Sequence, residues 1–313
     1  MVDLPPASSL TVDPLLVGVA CATVVTVAGL LQHGAAAHKR PRWIALGLAA
    51  VLLAGVWFSP LSTVAQHYLL SAHLLQVTVL MGAIPPLLLL ALPRLPRVRA
   101  PGWVTKPLRL AVHPLVAIVA VNGAFFGWHL APAYGAAMQD GLVYSLAQTS
   151  LLVTSLMFWW PIVTPFSPPI RSMTPLGKIG YIVLATIPQT FGGLAVALAH
   201  HVLYPVYAAA PRLLGLDVMT DQQIAGASIA LVSKVALFAA FTVIFIGMLS
   251  VGASDTEDGD GGGGGGGPRV DTPQPKPSGT PRWLEELEAG HTVPEPVPAL
   301  RVSSPAERGP VPA

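Results

Sequence analysis

An all-helical integral membrane protein with seven transmembrane spans is the fold class this sequence predicts. Three observations carry that expectation. The first is composition: 53% of the 313 residues are hydrophobic, 10% are charged and the mean hydropathy is +0.63, where a soluble domain has about 25% charged residues. The second is the presence of seven apolar runs long enough, at about 1.5 Å of helical rise per residue, to cross a hydrocarbon core of roughly 30 Å. The third is that Lys and Arg gather in alternate loops. None of the runs shows the period-two alternation of a membrane strand, so a barrel is excluded.

The elements follow in order. Met1 to Asp13 carries Asp3 and Asp13 and no Lys or Arg, the wrong sign for a signal peptide. Span 1, near 14–32, holds Cys21, the only cysteine; one thiol can form neither an intrachain disulfide nor a thiolate zinc or iron–sulfur site. Span 2 lies near 43–60 and is the shortest. Span 3, near 71–92, is entered through His67 in a turn and is broken deep inside by Pro85-Pro86. Such a break requires neighbouring helices or water to satisfy the freed carbonyls. Span 4, near 111–131, contains Asn122 and closes on Trp128-His129. Span 5, near 143–164, has Gln148 at one end and Phe158-Trp159-Trp160-Pro161 at the other. Span 6, near 177–200, ends on His200-His201. Span 7, near 223–250, is entered through Asp221-Gln222-Gln223, where Asp221 fits an N-cap.

Charge sets the orientation. The loops after spans 1, 3 and 5 hold ten basic residues: Lys39, Arg40, Arg42, Arg94, Arg97, Arg99, Lys106, Arg109, Arg171 and Lys178. The loops after spans 2, 4 and 6 hold Arg212 alone. The amino terminus is therefore expected outside and the carboxyl terminus in the cytoplasm, with residues 1–250 forming the membrane domain. From 251 to 313 the composition shifts to seven consecutive glycines (Gly261 to Gly267) and a Pro-rich stretch, too polar to offset its ordering entropy. A disordered cytoplasmic tail is expected there. Within it, Trp283 to Glu288 could form two amphipathic turns, either solvated or docked on a cytoplasmic partner.

Chemistry points to the outer face. Five of the nine histidines (His67, His73, His129, His200 and His201) fall at or near span ends on that side. Imidazole is a common metal ligand and a proton carrier near neutrality. His73 and Gln76 are three residues apart and share a helical face. His200 and His201 are adjacent, so one of them at most faces the bundle if the helix persists. His129, followed by Pro132 and Tyr134, reads equally as a ligand or as an interfacial histidine that meets water. Lys234 sits mid-span with no carboxylate partner in any predicted span; a retinal Schiff base there would lack its counter-ion. No phosphate loop, nucleophile elbow or metalloprotease signature is present, and no nucleic-acid partner is expected.

Ser71-Ala72-His73-Leu74-Leu75-Gln76, Pro85-Pro86, Pro93, Asn122, Trp128-His129, Phe158-Trp159-Trp160-Pro161, Leu203-Tyr204-Pro205 and Asp221-Gln222-Gln223-Ile224-Ala225-Gly226 together resemble the CtaG-type cytochrome c oxidase assembly factors. These are seven-span proteins of bacterial cell membranes. The similarity runs from about Ser59 to Leu249. It implies a non-enzymatic role in maturing a haem–copper oxidase, with copper helped toward the binuclear centre and oxidase subunits and the lipid bilayer as partners. It points to His73 and His129 as copper ligands, His67, His200 and His201 as further candidates, and Gln76, Gln148 and Asp221 as supporting groups. The chain departs from the family pattern in three places. Val77 stands where a second histidine is expected, Ala147-Gln148 where a Glu-His pair is, and Ile229-Ala230 where a Met-Trp pair is. Two alternatives follow from these departures and from Lys234: a metal-free scaffold for a respiratory complex, and a small-solute or proton transporter.

Overall fold

The computed structural model describes residues 4–33, 39–93, 102–163 and 173–257. The basic residues Arg94, Arg97, Arg99 and Arg171, and the whole expected tail from 258 onward, with Trp283 to Glu288, lie outside the described residues.

Helices make up the described chain, with no strand among the described residues. They are α1 (Pro14–His33), α2 (Lys39–Trp57), α3 (Pro60–His67), α4 (Leu70–Gly82), α5 (Ile84–Ala91), α6 (Gly102–Ala111), α7 (Pro114–His129), α8 (Ala131–Gln139), α9 (Gly141–Val163), α10 (Pro175–Ala197), α11 (Val218–Leu231) and α12 (Val235–Glu257). Six stretches are long and apolar enough to cross a membrane: α1, α2, α4 with α5, α9, α10, and α11 with α12. The fourth expected span differs. Residues 111–131 do not form one straight helix, because Pro114 interrupts the ladder and α6 meets α7 at a bend of 66°. At 16 residues, α7 alone covers only about 24 Å. Only if the bent pair is counted as one span are there seven. The last helix runs on to Glu257, past the expected boundary at 250.

Proline shapes α4 and α5 too. The helix breaks at Ala83, and Pro85 lacks the N–H that would bond the Met81 carbonyl four residues back. Trp159 of α9 supplies the missing donor, its Nε1 lying 3.0 Å from Met81 O. The neighbouring helix thus satisfies the freed carbonyl, as expected of a break at this depth.

Four aspartates share one task. Asp13 accepts from the Leu15 and Leu16 amides at the start of α1, and Asp140 from Leu142 and Val143 at the start of α9. Asp217 accepts from Met219 and Thr220 at the start of α11. Asp217, not Asp221, is the N-cap of the last span. Asp221 is buried inside the first turn of α11 and caps a different helix: its carboxylate accepts from the Leu70 amide at 2.7 Å and from the Ser71 amide at 3.1 Å and the Ser71 hydroxyl. The residue before α4, Leu69, offers no side-chain cap of its own. Each carboxylate meets unpaired N–H groups and the positive end of a helix dipole.

The core runs through the bundle as one apolar cluster joining α1, α2, α4, α5 and α9, with a second around Phe158, Trp159 and Tyr181. α10 and α11 cross at backbone contact. A Cβ on Gly193 would lie 2.8 Å from Ala230 N and Gly226 O, and one on Gly226 would lie 2.6 Å from Gly193 O. These two positions need glycine because backbone occupies the space.

Candidate functional site

His73, in the first turn of α4, and His129, at the last residue of α7, are brought together. Their ring centroids are 5.6 Å apart at 57°. Both line a cavity with Trp128, Tyr134, Met138, Tyr144 and Gln148. About 10 Å³ is open to the centre of a water-sized sphere there, room for roughly one such occupant.

The backbone fixes His129 twice. Its Nδ1 lies 2.7 Å from the Phe125 carbonyl four residues back. A carbonyl only accepts, so Nδ1 carries the hydrogen and Nε2 of the neutral ring is left with its lone pair. The His129 carbonyl, an orphan at the end of α7, accepts from the Tyr204 hydroxyl at 2.9 Å. The ring stacks on Phe125 with centroids 4.3 Å apart. His129 Nε2 is buried with no protein partner, and so is His73 Nδ1. A histidine that donates one nitrogen to a backbone carbonyl and keeps the other free is oriented as metal-bound histidines are.

Tyrosines wall this end. Tyr134 lies edge-on to His73 at 5.1 Å. Tyr207 donates to the Ala65 carbonyl at 2.6 Å, which spends its one hydrogen, so Tyr134 is the donor in the Tyr134–Tyr207 hydroxyl pair. Burial raises both phenols well above the ordinary tyrosine range, and Tyr207 adds to the effect at Tyr134. They are neutral hydroxyls at physiological pH.

The other expected residues lie elsewhere or serve the frame. Gln76 is buried and donates to Tyr144 Oη at 2.9 Å and to the Val56 carbonyl near the end of α2. Gln148 reaches the cavity wall, while its Oε1 accepts from Trp57 Nε1 at 3.3 Å. Asp221 acts through α4, fixing the turn that begins three residues before His73. His67 ends α3, half-buried, and His200 and His201 are exposed in the loop after α10; none of the three lines the cavity. Gln222 clamps that loop, donating to the His201 carbonyl at 3.0 Å and accepting from the Leu203 amide at 2.7 Å. Arg212, the lone base of its loop, donates to the Tyr207 and Ala208 carbonyls.

Among the described residues, no group of three or more His, Cys, Asp or Glu side chains is placed to hold a metal ion. Met138 is a cavity-lining residue that sequence reasoning did not single out. Its sulfur lies 3.9 Å from the Tyr207 hydroxyl, and a lone Met in a short segment between spans has no motif to announce it.

Comparison with known families gives a match over residues 22–250 to the model of the cytochrome c oxidase caa3 assembly factor. No curated protein and no solved structure matches the chain. The matched segment is well over half of the sequence, and the chain belongs to this family.

Proposed function

We propose that this member of the caa3 oxidase assembly factor family carries copper to a haem–copper oxidase at the outer face of a bacterial cell membrane. The observation that carries the reading is the pair of buried, unpartnered imidazole nitrogens, His129 Nε2 and His73 Nδ1, on one small cavity. Metal–imidazole bonds of about 2 Å allow one ion to touch both rings at the observed ring spacing. Met138 adds a soft thioether, a donor type that favours Cu(I). Copper here is cargo. It enters by coordinating neutral imidazoles and leaves by ligand exchange onto the oxidase, with no electron transferred. Two nitrogens and a thioether hold it loosely enough to be passed on.

The outward placement of this end rests on the basic residues of the opposite loops. The amino terminus then lies outside and the chain beyond α12 in the cytoplasm.

The test is anaerobic Cu(I) loading of the detergent-purified full chain. The wild type should retain about one copper per chain, as a cavity with room for one occupant allows. His73→Ala with His129→Ala should abolish retention, and Met138→Leu should weaken it. Unchanged stoichiometry in the double variant refutes the ligand assignment.

A metal-free scaffold is the second reading. It is favoured by Val77 at an expected histidine position and by the structural duties of Gln76 and Gln148. Oxidase subunits that co-purify with a chain unable to bind copper would select it.

A further inference from the structure

A second cavity lies deeper in the bundle, between α4, α7, α9, α10 and α11, with about 40 Å³ open to the centre of a water-sized sphere. Thr78, Ser155, Gln189 and Ser233 line it among apolar side chains. Ser155 is fully buried, and the hydroxyls of both Ser155 and Thr78 have no protein partner. Several other hydroxyls on the neighbouring helices turn back on their own backbone. Thr154, Thr190, Ser228 and Thr242 each donate to the carbonyl four residues earlier, the usual resolution in an apolar setting. Ser155 and Thr78 forgo it.

Two of the helices around the cavity are interrupted near it, and a third carries a proline there. α4 gives way to α5 at Ala83, beside the lining Gly82. α10 carries Pro188 next to the lining Gln189. α11 gives way to α12 through the 3₁₀ turn Val232–Lys234, which contains the lining Ser233. Irregular backbone at membrane depth persists where protein or water satisfies it. Lys234 Nζ donates to Ser233 Oγ at 2.7 Å and to the Ile229 carbonyl at 3.3 Å, which sets a mid-span lysine beside this cavity.

We propose that the mid-depth cavity is a hydration site holding about three waters, bound by the Thr78 and Ser155 hydroxyls. An apolar void would stay dry, whereas this one presents buried donors that only a small hydrogen-bonding occupant can pair. Ser233, which accepts from Lys234 and donates to the Ile229 carbonyl, lines the same cavity and places Lys234 next to that water.

Radiolytic footprinting in ¹⁸O-water tests this on the full chain in nanodiscs, since radicals born at internal water oxidise the buried side chains around it. Phe158 and Trp159, both buried and lining the cavity, should take up label, while the equally buried Trp57 should not. Thr78→Val with Ser155→Ala should lose the label at Phe158 and Trp159 and keep it at exposed Trp103. Unlabelled Phe158 and Trp159 in the wild type, or label undiminished in the variant, would overturn the proposal. So would xenon uptake by the wild-type cavity, the signature of a dry void. Should the variant fail to fold, the wild-type label and the xenon measurement decide.

Discussion

His129 shows how much one side chain owes to its place on a helix. As the last residue of α7 it can turn Nδ1 onto the Phe125 carbonyl, which chooses the tautomer. Asp221 works at longer range: its carboxylate pairs the first amides of α4. Asp221→Ala would leave the Leu70 and Ser71 amides unpaired and should destabilise the chain by about 2 kcal/mol, measurable as a lower thermal midpoint in detergent. Copper retention should fall with it, because α4 carries His73. His67 offers a pH test outside the spans. Burial lowers its pKa below 6.5, so the unfolded chain binds the proton more tightly. Stability should therefore rise as pH climbs from the folded pKa toward 6.5 and level off above it. His67→Gln should flatten that part of the profile. His73 and His129 were legible in the sequence because polar residues at membrane depth stand out. Met138 was not, since a thioether among apolar residues carries no pattern. The duty of Asp221 was hidden because its partners are about 150 positions away in sequence.

Helix breaks and helix crossings dominate at the next scale. Apolar run length located six of the expected spans to within a few residues. The fourth coincides with α7, but run length is blind to the bend before Pro114, which leaves a straight helix of 16 residues. The Pro85 break was visible in the sequence, but its remedy was not, since a Trp has many possible partners. Trp159→Phe keeps the ring and removes the donor to Met81 O. It should cost about 1 to 2 kcal/mol, while Pro85→Ala, which restores the missing N–H, should relieve much of that loss in the double variant. A double-mutant cycle by denaturant titration checks the coupling. The crossing of α10 and α11 is less forgiving. Gly226→Ala would put a methyl against the backbone of α10, forcing the two helices apart at a cost of about 1 to 3 kcal/mol. A lower thermal midpoint without altered oligomeric state would confirm it.

For the molecule as a whole, the proposed orientation rests on the alternation of basic loops along the sequence. Cysteines placed singly in a Cys21→Ser background should report the sidedness. A thiol at Ala209, exposed in the loop after α10, should react with an impermeant maleimide on intact cells. One at Arg40, near the start of α2, should react only after the membrane is opened. The reverse pattern would invert the proposed orientation and with it the side on which the imidazole cavity opens.

The four Asp caps carry a consequence beyond helix stability. Asp217, for one, keeps its charge to low pH because the Thr220 hydroxyl holds its pKa below the usual carboxylate range. None of the four lines the cavity of His73 and His129. In the copper reading proposed above, a positive ion drawn toward this end by their field would meet no carboxylate among the residues that line the cavity. On that reading, the layout would hasten arrival without prolonging the stay.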